Sequence, residues 1–172
     1  MIPLHDLNAA PRDAFVARLG GVFEHSPWVA ERAYDRRPFA SRDALHAAMV
    51  AAVEEADPAW RLALLRAHPE LAGRAAVRGE ITEHSTQEQS GSGLLACSPE
   101  EFARLQKLNR AYGERFGFPF IVAVRGLDRA GIIAAFERRL GNAPEAEMAE
   151  ALRQVARIAG FRLAELVGDG AA

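Results

Sequence analysis

The sequence predicts an all-α protein, a single-domain helical bundle of about seven to nine helices over residues 1–172. Three observations carry that expectation. Apolar residues recur at helical spacing through most of the chain. Ser-Pro and Asp-Pro pairs mark several helix starts. No repeat, low-complexity tract or linker divides the sequence, and its length suits one ordinary domain with a substantial core.

The elements follow in order. Asn8 caps a helix running to Leu19, which Gly20-Gly21 stops. In "SPWVAERAYD", Ser26 is an N-cap and Pro27 the first helical residue. Ser41 opens "SRDALHAAMVAAVEEAD", with Leu45, Met49, Ala52 and Val53 on one face. Asp57-Pro58 restarts the chain as "PAWRLALLRAH". From Leu71 to Ile81 the pattern lapses into a loop containing Gly and Arg. "SPEEFARLQKLNRAYGERFG" then combines a Ser98 cap, Pro99 at the first position, Glu101 completing a capping box and Gly117 as the stop. "FPFIVAVRG" is a short apolar run, either a strand or an extended core segment. Two helices close the chain, "DRAGIIAAFERRLGN" and the longer "PEAEMAEALRQVARIAGFRLAEL".

Composition narrows the function classes. Hydrophobic residues make up 49% of the chain and charged residues 26%. That balance is globular rather than disordered. A net charge of −2, with arginines interspersed among acids, leaves no basic stripe for nucleic acid. Cys97 is the only cysteine, so neither an intramolecular disulfide nor a thiolate zinc cluster can form. No apolar stretch is long enough to span a membrane. "MIPLHDLNAAPRDAF" lacks a secretory pattern, and "VGDGAA" is not the Ser-Lys-Leu address. The expectation is a cytoplasmic protein without membrane or nucleic-acid partners.

Two stretches could carry chemistry. In "LLRAHPELAGR" a smooth amphipathic run ends on His68, held against Pro69. Proline removes a donor and drives the preceding residue out of the helical region, which pins the imidazole at a helix exit. It either meets its own helix dipole or faces a cleft. In "EHSTQEQSGSGLL", Ser85-x-x-Glu88 reads as a capping box that starts a short helix. Ser85, Thr86, Gln87, Glu88 and Gln89 are also a dense polar patch. Gly91 and Gly93 follow, where backbone could approach a ligand closely. Histidine, carboxylate and amides together suit acid–base work on a small polar molecule.

Rival chemistries find less support. There is no Gly-x-Ser-x-Gly elbow and no phosphate loop. Cys97 reads as a buried or half-buried thiol at a helix boundary. His84, Glu88 and His68 could suggest a metal, but His-Glu-x-x-His is missing and a helix starting at Ser85 leaves His84 outside it. His5, His25 and His46 read as surface or helix-face residues. Arg125 ends the apolar run and Arg162 lies in the last helix. Each is either an internal salt bridge or a bidentate contact for a substrate carboxylate.

Together, "RAHPELAGR" (66–74), "STQEQSGSGL" (85–94), "LNRAYGERFGFPFIVAVRG" (108–126), "ERRLGN" (137–142) and "VARIAGFRLAELV" (155–167) resemble one family. It is the 2-oxo-4-hydroxy-4-carboxy-5-ureidoimidazoline (OHCU) decarboxylases of urate breakdown, a part of purine metabolism. The likeness runs from about Leu4 to Val167; the spacing in "SGSGLLAC" departs from it mildly.

The resemblance implies a helical, homodimeric carboxy-lyase that turns OHCU into S-(+)-allantoin without cofactor or metal. It makes His68 the catalytic acid/base with Pro69 beside the substrate. The segment Ser85, Thr86, Gln87, Glu88 and Gln89 would bind ureido and ring groups, Glu88 being the principal polar partner. Phe120, Ile121, Val122, Ala123 and Val124 would offer backbone groups to the flat ring. Arg125 and Arg162 would contact its carboxylate or ring.

Overall fold

A computed structural model describes residues 1–72, 82–91, 94 and 97–168. Most of the loop expected at 71–81, together with Gly93, lies outside the described residues. Among the described residues there are nine helices and one two-stranded parallel pair, so the all-α expectation holds. The chain divides into two compact units, Met1–Ala67 with Ala156–Ala172, and His68–Val155.

The first unit contains α1 (Leu4–Ala9), α2 (Arg12–Leu19), α3 (Trp28–Tyr34), α4 (Arg42–Glu54) and α5 (Pro58–Arg66). The C-terminal part of the last helix joins them, followed by β2 (Val167–Gly168), which pairs with β1 (Ile2–Pro3), Ile2 opposite Val167. Leu45, Met49, Ala52 and Val53 are all buried, as the helical spacing in α4 requires. Ser41 caps that helix by accepting from Ala44 N–H. Asn8 does not cap a helix: it lies inside α1, and its amide brackets Phe39 by donating to its carbonyl and accepting from its N–H, both at 2.9 Å. A side chain that can satisfy two backbone groups of an irregular segment is worth more there than at a cap. Ser26 is not an N-cap either; its hydroxyl donates to Glu24 O, and Pro27 flanks α3.

Two buried contacts tie the end of the chain to this unit. Arg162, 3% exposed, donates to the Glu24 carboxylate at 2.8 Å, and the His46 ring bonds the Ala156 carbonyl at 2.8 Å. Gly160 gives that ring room, since a Cβ there would sit 3.4 Å from His46 Nε2. On the outside, Trp28 and Trp60 meet edge to face at 5.2 Å with Arg32 over both rings.

The second unit is built on α6 (Glu83–Gly91), α7 (Pro99–Phe116), α8 (Arg129–Leu140) and the N-terminal part of α9 (Pro144–Leu166). The start of α7 matches expectation in full. Ser98 accepts from Glu101 N–H, Glu101 accepts in return from Ser98 N–H, and Pro99 is first. Gly117 ends α7 at φ 75, a left-handed conformation that glycine adopts without Cβ strain. The chain then runs through 118–124 as neither helix nor strand, with Phe118, Phe120, Ile121, Val122, Ala123 and Val124 buried. Of the two sequence readings of this run, the extended core segment is the one realised. Tyr112 sits among Phe116, Phe118, Phe120 and Phe136, and Phe120 stacks on Phe136 at 3.9 Å.

The capping box of α7 gives a direct stability prediction. Ser98→Ala should cost about 1 kcal/mol, read as a shift in the chemical-denaturation midpoint. Glu101→Gln, which can still accept from the Ser98 N–H, should cost only a fraction of that.

Candidate active site

The residues singled out by sequence between 68 and 125 belong to the second unit; Arg162 belongs to the first. Helix α5 ends at Arg66 with Ala67 as C-cap, so His68 follows immediately and cannot continue the helix against Pro69. His68 is 8% exposed, and it is partnered rather than loose in its surroundings.

Helix α6 begins at Glu83, earlier than the Ser85 capping box implied. Thr82 takes the capping role. Its hydroxyl oxygen accepts from Ser85 N–H at 3.3 Å, and its carbonyl accepts from the Thr86 hydroxyl at 3.0 Å. The sequence reading missed this because Thr82-x-x-Ser85 and Ser85-x-x-Glu88 begin alike. Three consequences follow. His84 lies inside the helix rather than before it. Ser85 and Gln89, four apart, share its buried face at 4% and 3% exposure. Glu88 is half-buried beside them, whereas Gln87 is exposed and the Thr86 hydroxyl is engaged by backbone.

Gln89 joins α6 to the His-Pro segment. Its Oε1 accepts from Ala72 N–H at 3.0 Å, and its Nε2 donates to Glu70 O at 3.4 Å. From α7, Asn109 donates to Leu71 O and Gln106 to Ala72 O, both at 2.9 Å. Neither residue stands out in the sequence.

The 120–124 segment is held by residues that sequence analysis did not single out either. Arg139, 4% exposed, donates from Nη1 to Ile121 O at 2.7 Å, and its guanidinium lies 4.5 Å from the centre of the Phe120 ring. Its Nε and Nη2 both reach Glu147 Oε1, at 2.9 and 2.6 Å. Glu147 has no exposure and also accepts from Asn142 at 2.7 Å and from the Tyr112 hydroxyl. A carboxylate so enclosed is tolerable only because a cation and neutral donors surround it. On the other side of Val122, Ala123 N–H donates to Gln154 Oε1 at 2.9 Å.

These two anchors flank a third residue. The peptide bonds here are trans, so Val122 N–H points opposite to the Ile121 carbonyl, and Val122 C=O opposite to Ala123 N–H. With Ile121 O held by Arg139 and Ala123 N–H by Gln154, the two peptide groups that flank Val122 are both anchored. Arg125 follows in an exposed turn.

Cys97 is half-buried and donates to Leu94 O at 2.9 Å. Burial, then the Glu101 carboxylate, pushes its thiol above the ordinary range against a smaller opposing effect of Arg129, so it stays protonated. Arg162, one of the two candidate carboxylate contacts, has Nη1 engaged by Glu24. Among the described residues, no three His, Cys, Asp or Glu side chains cluster closely enough to hold a metal ion. No described helix is long and apolar enough to cross a membrane.

The family model described as OHCU decarboxylase matches residues 8–164. A 2-oxo-4-hydroxy-4-carboxy-5-ureidoimidazoline decarboxylase of Haloferax volcanii is 44% identical, over 95% of both chains. Its namesake from Mus musculus is 37% identical over 94% of this chain and 91% of its own. A "Uric acid degradation bifunctional protein" from a Bacillus strain is 39% identical, with 99% of this chain matching 33% of that protein. Among solved structures, (S)-allantoin synthase aligns with a TM-score of 0.77 at 31% identity, covering 98% of this chain and 54% of that one. An OHCU decarboxylase crystallised in the presence of (S)-allantoin has a TM-score of 0.69; at 21% identity it supports the fold alone.

The Tyr112 hydroxyl gives this unit an alkaline limit. Burial first, then its hydrogen bond to Glu147, raises the phenol above its ordinary value near 10. The unfolded chain therefore loses this proton while the folded chain keeps it. Stability present below about pH 10 should fall as pH rises past it, by at most about 1.4 kcal/mol per unit from this group. Tyr112→Phe should remove that contribution to the slope, measured by denaturant melts between about pH 9 and 11.

Proposed function

The chain belongs to the OHCU decarboxylase family, and from that membership we propose that it decarboxylates OHCU to S-(+)-allantoin in urate degradation. The single observation that supports this best is the coupling of the segment that follows His68 to the polar helix α6. Gln89 binds backbone on both sides of Leu71, so the family's histidine motif and its Ser-x-x-Glu-Gln motif are linked within one unit. We further propose that residues 1–172 act as one catalytic domain, in the cytoplasm and as a homodimer.

The chemistry needs little beyond side chains. When the C–C bond to the carboxylate breaks, its electron pair enters the ring and is taken up by the adjacent C=N, leaving an enol-like intermediate. The neighbouring hydroxyl then gives up its proton to become a carbonyl, and a proton added to one face of the ureido-bearing carbon sets the configuration. No external electron sink is required. His68 is the acid/base for these transfers, with Pro69 setting its approach. Glu88 and Ser85 bind the ureido and ring N–H groups. Gln89 acts at the same site mainly as the anchor of the histidine segment, and Thr86 and Gln87 contribute through the helix that carries them.

Across the ring, Phe120, Ile121, Val122, Ala123 and Val124 form a rigid edge. The adjacent donor and acceptor of Val122 match the N–H and C=O of a cyclic urea. Arg125 contacts the substrate carboxylate and turns it out of the ring plane, so that the breaking bond overlaps the π system. Arg162 has Glu24 as its fixed partner within the first unit.

Freshly oxidised urate, added to the enzyme with a chelator present, tests the reading. Formation of one allantoin enantiomer, followed by circular dichroism, should accelerate and should survive exhaustive dialysis against EDTA. Spontaneous rates and racemic product would refute it. His68→Asn should lower kcat by roughly 10²- to 10⁴-fold with little change in Tm. Its pH–rate profile should lose the limb that a catalytic imidazole gives the wild type. Glu88→Gln should lower turnover by about 10²-fold, on the order of 2.7 kcal/mol of transition-state stabilisation, with the fold intact.

A further inference from the structure

His68 heads a segment that neither helix nor strand supports. Leu71 is 6% exposed and Ala72 only 1%. Ala72 has φ 48, a left-handed conformation rare for a residue with a side chain. Such a backbone persists only where its surroundings over-determine it. Here the surroundings are three carboxamides. Gln89 takes Glu70 O and Ala72 N–H, Asn109 takes Leu71 O, and Gln106 takes Ala72 O, so four backbone atoms in three consecutive residues are held by neutral side chains from two helices.

We propose that Gln106 and Asn109 on α7, together with Gln89 on α6, form a carboxamide clamp that positions the His68 imidazole for proton transfer; the proposal rests on the decarboxylase reading above. Carboxamides suit the task on two counts. Each carries both donors and an acceptor, so one residue type can meet N–H and C=O groups in the same segment. Each is uncharged, so the clamp adds no ionic charge near the imidazole and leaves its proton affinity to the catalytic groups.

Asn109 carries a further mark of this role. Its Oδ1 is buried and makes no hydrogen bond among the described residues, while its Nδ2 holds Leu71 O. An unsatisfied buried acceptor destabilises a fold, and packing alone would favour an apolar residue of similar size. What asparagine supplies there is the donor to Leu71. Neither Asn109 nor Gln106 touches reacting atoms in this scheme; both act through the segment that follows His68.

Gln106→Met and Asn109→Leu, made in the full chain, test the clamp. Each should lower kcat on the order of 10-fold, as a sub-ångström to ångström displacement of an acid/base does, with KM changed less than about twofold. Asn109→Leu removes one unsatisfied oxygen but leaves Leu71 O without its donor, so the two effects oppose and Tm should change little. In a His68→Asn background, Gln106→Met should cost less than about twofold more, since a positioning residue has nothing left to position.

The His68 ring C–H signals in NMR give a readout that needs no substrate. They should shift or broaden in both variants while the ring signals of His5 and His25 stay fixed. Wild-type kcat in Gln106→Met, a full-sized loss in both backgrounds, or unchanged His68 signals would overturn the clamp. A wild-type chain with no activity on OHCU would overturn the decarboxylase reading instead, with the ring signals still deciding the clamp.

Discussion

A buried peptide group must find a hydrogen-bond partner, and a helical protein that departs from the helix in its interior must find that partner elsewhere. Both segments that build the candidate site depart in this way. Residues 70–72 and 120–124 have no ladder of their own, so side chains take over the work of backbone. The first segment is held by amides alone, the second by a guanidinium and an amide. The guanidinium brings the heavier obligation. Arg139 can reach Ile121 O inside the core only because Glu147 neutralises it, and Glu147 can be fully buried only because Tyr112 and Asn142 share its lone pairs. An ion pair of this kind contributes less to net stability than to a unique arrangement: the polar atoms have one satisfactory solution, and the path of 120–124 is part of it.

Helix α7 is where the two segments meet the same support. Gln106 and Asn109 face the histidine segment, and Tyr112, three residues beyond Asn109, packs on Phe118 and Phe120 and reaches Glu147. Positions three apart lie on one side of a helix, so a single rigid rod carries the fastenings of both. Both of its ends are closed, by a reciprocal cap at Ser98 and a left-handed glycine at 117. A rod with fixed ends suits residues whose value lies in where they hold others.

What the sequence made legible was local. The caps of α4 and α7, the stop at Gly117, the helix break ahead of Pro69 and the buried face of α4 depend on residues close along the chain, and all appear as read. The misreadings were also local, but turned on competition between similar signals. Thr82 and Ser85 both offer a cap, and the earlier one wins; Asn8 resembles a cap until Phe39, 31 residues on, is seen to use both ends of its amide. The supports of the site were not legible by this route. With 21 basic and 23 acidic residues, nothing local distinguishes Arg139 and Glu147 as a pair that is buried. Nor does Gln106 or Asn109 differ, on a helix wheel, from any polar residue next to an apolar stripe. Family resemblance named the candidates for meeting the substrate; only the fold names the residues that hold their segments.

The edge-to-face indole pair has an optical consequence. Trp28 and Trp60 are the chain's two tryptophans, and both belong to the unit that does not contain His68. Fluorescence excited at the red edge of indole absorption therefore reports on that unit alone. Rings 5.2 Å apart also couple electronically, so their near-ultraviolet dichroism should exceed that of two isolated indoles, and the excess should vanish when either is replaced. The other unit is silent at those wavelengths, and a tryptophan introduced on its exposed surface would give each half of the molecule a signal of its own.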